Sequence, residues 1–353
     1  MALAVCLLAL AGTATARAAA PGSAAALEGR AVWIWDLQRS AGGSPAAIAA
    51  QARASGIRAV FIKAADGASR LAQFNAATVA ALRDDGLYVC AWQYVYGRHP
   101  ALEAAAGLAA VRDGAQCLII DAEAEYEGRY WAAQTFLADL RSGLGYEYPL
   151  ALASFPYVAL HPAFPYSVFL GPGGAQFDLP QMYWQSIGAS IDSVFAKTFV
   201  YNRIYGRTII PVGEMYDAPT PSAVLRFRDL TVAYGAPGVS WWDWAWASHT
   251  DLWGPLSSLL TAPTHFDGPD TLWPDLRSGD RGDDVLWLQE HLARAIPAQR
   301  ITGLFAAQTR ADLASFQRSR GLPETGTTSG ATWAALLRLA PLAPRWHSPA
   351  GGS

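Results

Sequence analysis

Three carboxylates spaced two residues apart, Asp121, Glu123 and Glu125, follow directly on the apolar run Leu118-Ile119-Ile120. Alternate side chains of an extended chain share a face, so if the run is a strand the three acids leave its end on one side, close together. Like charges at that range resist ionising together, and at least one acid is expected to hold its proton near neutral pH. A protonated acid beside an ionised carboxylate is the equipment for cleaving a glycosidic bond. An isolated acidic triplet is more often the solvated start of a loop, paired with arginines. The element that carries it decides between the two.

That element is one of a series. Apolar runs at 31–35, 59–62, 87–92, 117–120, 150–154, 177–183, 208–212 and 238–242 alternate with helix-like stretches at 45–54, 76–84, 101–112, 129–142, 191–201 and 221–234. This is the pattern of repeated βα units around a parallel sheet. The fifth connection, through Pro162, Pro165 and Pro172, is a poor helix and reads as an irregular loop with a short helix. Eight units in about 240 residues predict an α/β fold, a (β/α)8 TIM barrel over 28–262, whose active site gathers at the C-terminal ends of the strands. Those ends carry Asp36, Lys63, Gln93 with Tyr94, the acidic triplet, Ser154, Gln181 with Tyr183 and Trp184, Glu214, and Asp243 among Trp241, Trp242, Trp244 and Trp246. Carboxylates ringed by tryptophan and tyrosine suit a carbohydrate cleft, in which aromatic walls surround a few placed polar groups. Tyr183, Trp184 and Trp241 are expected as walls, and Gln93 or Gln181 as donors to hydroxyl or amide groups. Lys63 either pairs with Asp36 or touches substrate.

Bulk properties narrow the partner. The chain has 353 residues and a net charge of -3, with no basic run, which gives no electrostatic case for nucleic acid and suits a neutral polymer. Residues 1–20 hold a short apolar stretch followed by overlapping Ala-x-Ala steps and read as an export signal, too short for a mature membrane span; no stable membrane insertion is expected after its removal. Cys90 and Cys117, the two cysteines beyond it, are expected as buried small hydrophobes. His99, His161 and His249 lack ligand-like spacing, no Gly-x-Ser-x-Gly elbow occurs, and no phosphate-binding glycine loop is present, so neither metal nor cofactor is expected. Residues 263–274, rich in proline and glycine, read as a linker with some freedom, and 339–353 as a disordered tail.

Between them, 275–338 predict a small three-helix domain. Asp283 or Asp284 can cap a helix whose inner face is Val285, Leu288 and Leu292, with Leu313, Phe316, Trp333 and Leu336 completing a core. Leu276-Arg277-Ser278-Gly279-Asp280-Arg281-Gly282-Asp283-Asp284-Val285, then Leu288-Gln289, Gly303-Leu304-Phe305, Thr309, Phe316-Gln317, Gly321-Leu322, Gly326 and Trp333, resemble the peptidoglycan-binding type 1 domain. The resemblance implies that the chain binds peptidoglycan or another cell-wall glycan and is secreted or wall-associated.

Three barrel segments resemble glycoside hydrolase family 25, the lysozyme barrels: Gly56-Ile57-Arg58-Ala59-Val60-Phe61-Ile62-Lys63-Ala64-Ala65-Asp66-Gly67, Gly86-Leu87-Tyr88-Val89-Cys90-Ala91-Trp92-Gln93-Tyr94, and Leu118-Ile119-Ile120-Asp121-Ala122-Glu123. That family's Asp-x-Glu pair implies Glu123 as general acid beside Asp121. The Asp121-Ala122-Glu123-Ala124-Glu125 spacing and Gln181-Met182-Tyr183 also resemble family 18, the chitinase barrels, which implies Glu125 as the acid and Tyr183 as a holder of the substrate's acetamido group. Asp121 then stabilises the cationic transition state, activates water, or orients an attacking acetamide. Trp33 stands where family 25 opens on an aspartate, and this departure motivates a second reading, a non-catalytic wall-binding protein with a degenerate barrel.

Overall fold

The computed structural model describes residues 22–250, 252–258, 266 and 268–348; the expected export signal lies outside them, as do 263–265 and 267 of the expected linker and 349–353 of the tail. Among the described residues ten strands form in chain order: β1 Gly29–Ile34, β2 Ala59–Asp66, β3 Ser69–Arg70, β4 Tyr88–Val95, β5 Leu118–Ala122, β6 Leu150–Ser154, β7 Phe177–Pro180, β8 Thr208–Ile209, β9 Val212–Glu214 and β10 Gly238–Trp242. All pair in parallel except β3, a short antiparallel appendage of β2. β8 and β9 are two halves of one rung interrupted at Ile210-Pro211, and a parallel bridge between Gln181 and Val212 joins β7 to that rung. With β1 seated between β2 and β10, the sheet closes as an eight-rung (β/α)8 barrel.

Period-two alternation builds two cores from one set of strands. Inward-facing Trp33, Phe61, Trp92, Ile119, Leu179 and Val212 fill the barrel beside the small Ala31, Ala59, Ala151 and Ala153, so bulky and small side chains share its cross-section. Outward-facing Val32, Ile34, Val60, Ile62, Leu118, Ile120 and Leu152 meet the helices. Cys90 and Cys117, expected as free thiols, form a disulfide. β4 and β5 pair Ala91 with Leu118, which sets Cys90 opposite Cys117 on the interior face with Cα atoms 4.7 Å apart. Strand register, invisible in the sequence, brings them within bonding reach.

Six helices stand where periodicity places them: Pro45–Ala54, Ala76–Asp84, Pro100–Arg112, Tyr130–Leu144, Ile191–Asn202 and Pro221–Ala233. After β6 the chain manages only the four-residue helix Tyr166–Phe169, as its prolines foretell. Asp283–Ala295, the first of three C-terminal helices, packs over this short helix, with Ala307–Ser319 and Gly330–Leu336 following. Its inner face joins the predicted small core of Val285, Leu288, Leu292, Leu313, Phe316, Trp333 and Leu336, all buried. Its other face lies on the barrel. The indole of Trp287 donates to the Ile204 carbonyl at 2.7 Å. The buried Asp283 carboxylate accepts from Ser167 N at 2.7 Å, Ser167 Oγ at 2.7 Å and Tyr205 OH at 2.8 Å. Gly282 caps the helix at φ +140°, and a Cβ there would meet Pro162 at 2.8 Å, so only glycine allows this approach.

The helical domain docks on the barrel through Trp287 and Asp283, while part of the expected linker lies outside the described residues. One expectation changes. The tail runs ordered through residue 348: Trp346 packs on Tyr130 at a tilt of 32° with ring centroids 4.4 Å apart, and its backbone N–H donates to Gln134 Oε1 at 3.1 Å.

Candidate active site

Cys117, Ile119 and Asp121 share the inward parity of β5, so Asp121 emerges at the C-terminal mouth of the barrel, only 5% exposed. Glu123 continues that parity as the chain leaves the strand for a turn of 3-10 helix, Ala124–Tyr126. The side-chain amide of Gln181, just past β7, donates to Asp121 Oδ1 and to Glu123 Oε1, each at 3.0 Å. One amide thus ties the two carboxyl groups together. Burial pushes Asp121 well above the ordinary carboxylate range, Glu123 adding to the effect while Lys63 and Gln181 oppose it. Burial also raises Glu123, with Glu125 reinforcing it against the Gln181 bond and His161. The pair therefore retains a proton where ordinary carboxylates have lost theirs.

Glu125 sits apart from this bridge and accepts from the Tyr94 hydroxyl at 2.7 Å. Beside it a second polar chain forms. Lys63 Nζ donates to Asp66 Oδ2 at 2.7 Å, and Tyr96 OH to Asp66 Oδ1 at 2.7 Å. Burial alone would raise the Asp66 carboxyl, but the bonds from Lys63 and Tyr96 outweigh it and hold the group below its usual value. The Lys63 ammonium also lies over the rings of Trp92 and Trp35, 5.0 and 5.5 Å from their centroids.

Aromatic rings make the walls. Trp33, Trp92 and Trp242 meet edge to face with centroids 5.4–5.7 Å apart, and Trp35 packs on Trp242 at 6.0 Å. Trp33 is locked in the floor by its indole bond to Ser240 Oγ at 3.0 Å. Three adjoining hollows result. The central one, about 400 Å³, is lined by Trp33, Asp121, Glu123, Gln181, Tyr183, Tyr216, Trp242 and Trp246. A second, about 330 Å³, shares Asp121, Glu123 and Trp242 and adds Trp35, Lys63, Asp66, Trp92, Tyr94, Tyr96 and Glu125. The third, about 760 Å³, lies beyond Trp35 and Trp246 and contains Asp36, Arg39, Asp243, Ala245 and His249.

The structure thus brings Asp121, Glu123, Glu125, Lys63, Gln181 and Tyr183 together and sets Asp36 and Asp243 in the side chamber. Lys63 pairs with Asp66, not with Asp36. Four residues expected to touch substrate lie elsewhere. Gln93 is buried behind β4, its amide donating to the Gly67 and Glu103 carbonyls at 2.8 Å each. Trp184 and Trp241 pack on Phe227 in the outer layer, with centroids 5.3 and 5.2 Å away. Glu214 is fully buried, accepts from the Gln185 N–H, and is pushed by burial up to about 7.

Trp35, Asp66, Tyr96 and Tyr216 are contributors that sequence reading missed, and Trp242 is the wall in place of Trp241. Counting faces along 240–242 from the inward Ser240 would have found Trp242. Asp66 is hidden by a bulge: the β2–β4 register shifts between Lys63 and Ala65, which lets residues three apart reach one another. Among the described residues no group of three or more His, Cys, Asp or Glu side chains is arranged to hold a metal ion, and no helix is long and apolar enough to cross a membrane.

Residues 281–336 match the family model described as "Putative peptidoglycan binding domain". A search of curated proteins found no match. Among solved structures, the chain is similar to a "putative Chitinase A" from Streptomyces coelicolor at 13% identity and TM-score 0.48, covering 66% of this chain and 97% of that one. The ICChI chitinase of Ipomoea carnea aligns at 12% identity and TM-score 0.46, covering 65% and 98%. An endo-beta-1,4-mannanase of Thermotoga petrophila aligns at 8% and 0.46, covering 61% and 68%. Likenesses this distant say nothing of what this chain acts on.

Proposed function

We propose that the chain is a secreted glycoside hydrolase of lysozyme type, directed to the cell wall by its C-terminal helices and acting on peptidoglycan or a related N-acetylated glycan. The observation that carries the reading is the Asp121–Gln181–Glu123 bridge on the floor of a tryptophan-walled cleft. Glu123 faces the central hollow with its proton retained and protonates the departing glycosidic oxygen. The two bridged oxygens, each 3.0 Å from one nitrogen, are at most 6.0 Å apart. An inverting pair needs about 6.5–9.5 Å for an intervening water, and the close approach of these two oxygens argues against Asp121 as the base of such a pair. Placed behind Glu123 on the same strand, Asp121 shares its proton and orients the substrate's acetamide through Gln181 and Tyr183. The "Putative peptidoglycan binding domain" match supports the wall as target, and the Cys90–Cys117 disulfide supports an oxidising, extracytoplasmic location.

The test is turbidity loss on purified peptidoglycan and release of reducing ends from chitin oligomers by the full chain. Glu123→Gln is expected to abolish both while Glu125→Gln retains most activity. Loss in Glu125→Gln with survival in Glu123→Gln moves the acid to the Tyr94-bonded carboxylate. One observation favours the non-catalytic alternative: Trp33 fills the floor where the family 25 barrels carry an aspartate. A folded wild type that pellets with peptidoglycan and releases nothing would establish it.

A further inference from the structure

The side chamber beyond Trp35 and Trp246 differs from the cleft in charge. The cleft floor presents acids, with its one cation, Lys63, bound to Asp66. In the chamber both acids accept from backbone N–H groups, while the side-chain donors of Arg39 and His249 make no hydrogen bond among the described residues. Asp243 Oδ1 accepts from Trp246 N at 3.2 Å as a helix cap, and Asp36 Oδ1 from Gln38 N at 2.9 Å and Arg39 N at 3.4 Å. Arg39 is largely exposed and meets Asp36 only at 3.7 Å, and the His249 ring has no hydrogen-bond partner among the described residues. Trp35 and Trp246, 55% and 46% exposed, stand between chamber and cleft as shared walls. At about 760 Å³ the chamber is nearly twice the central hollow. An anionic branch of a substrate is disfavoured over the cleft acids, whereas in this chamber it meets the guanidinium of Arg39 and the ring N–H of His249.

We propose that this chamber receives the carboxylate-bearing peptide branch of the wall glycan, with Arg39 and His249 as its anion contacts and Trp35 and Trp246 flanking the branch point. The inference rests on the wall-glycan reading above and adds a preference for peptide-substituted strands over unsubstituted N-acetylglucosamine polymers.

The experiment measures binding, so it does not depend on cleavage. The full-length Glu123→Gln protein is titrated by calorimetry with three probes: diacetylchitobiose, the N-acetylglucosaminyl-N-acetylmuramic acid disaccharide with a free lactyl carboxylate, and the same disaccharide bearing an alanyl-isoglutamine peptide. The peptide form is expected to bind about 10-fold tighter than diacetylchitobiose, the effect of one charge-assisted contact. Adding Arg39→Ala is expected to erase that advantage and leave diacetylchitobiose within about twofold. Equal weakening of all three probes would make the chamber a plain sugar subsite and overturn the proposal, as would absence of any peptide advantage. A full advantage from the lactyl acid alone would overturn the peptide assignment. Selective, Arg39-dependent binding by a chain whose wild type cleaves nothing would sink the hydrolase reading and leave this one standing.

Discussion

Replacing Asp283 by alanine tests whether the C-terminal helices are part of the barrel or an attachment to it. The carboxylate is fully buried and accepts from Ser167 N, Ser167 Oγ and Tyr205 OH, with the Tyr130 hydroxyl beside it. Each bond to a charged acceptor contributes about 1.5–3 kcal/mol, but desolvating the carboxylate offsets part of the sum. Deleting the acceptor leaves buried donors facing a cavity, and about 3–5 kcal/mol of stability should be lost, a large share of what a domain possesses. Burial pushes Asp283 up to about 7 and the nearby Glu290 up to about 9, from ordinary values of 3.8 and 4.5. A raised acid binds its proton more tightly in the folded state, so its contribution is complete below the unfolded value and is lost as pH rises through the folded one. Stability should therefore fall between pH 4 and pH 9 through these two groups. Urea unfolding followed by tryptophan fluorescence, at pH 5 and pH 8.5, reads both effects. The wild type is expected to unfold in one transition, earlier at pH 8.5; Asp283→Ala moves that whole transition, and Asp283→Asn, which cannot titrate, flattens its pH dependence. Two separate wild-type transitions, of which Asp283→Ala moves only one, would refute the idea that this helix packs as one unit with the barrel, as would a loss below about 1 kcal/mol.

Other consequences can be checked separately. Gln181→Leu removes the amide that bridges Asp121 and Glu123 and should lower kcat about 100-fold with a smaller change in KM, measured on soluble glycan oligomers. Because burial raises Glu123, the alkaline limb of the kcat profile should lie above the pH expected of an ordinary glutamate, and a limb at the ordinary position would remove Glu123 as the acid. The Cys90→Ala, Cys117→Ala double variant opens a loop with a sequence separation of 27 and should cost about 3 kcal/mol in denaturant titrations. Unreduced, denatured wild type purified from an oxidising compartment should show no thiol at Cys90 or Cys117 with a thiol reagent.

Much of the barrel was legible because strands buried on both faces must be apolar throughout, and each of the eight runs read from the sequence became a rung. The acidic triplet was legible for the same reason: polar residues directly after such a run have no core to enter and mark the strand's open end. What was not legible was the direction of individual side chains. Gln93 sits next to the inward Trp92 and therefore points outward, and Trp241 points away from the cleft that Trp242 lines, because one residue of register reverses the face. Asp66 escaped for the opposite reason, since the bulge breaks the period that a reader must assume.

The C-terminal helices show a deeper limit. Val285, Leu288 and Leu292 announce a helix with one apolar face, and nothing in the sequence marks Asp283, Glu290 and His291 as buried beside it. All three are buried: Asp283 against Ser167 and Tyr205 of the barrel, and His291 beneath Leu336 and Leu339 of its own C-terminal segment. The acid at 283 follows from that contact, because the buried N–H and hydroxyl of Ser167 and the hydroxyl of Tyr205 need an acceptor that an apolar residue would lack. A cut within 263–274 would thus separate from the barrel the helices that meet it at Ser167, Ile204 and Tyr205, so the family-matched domain and the carboxylate cleft belong to one packed unit.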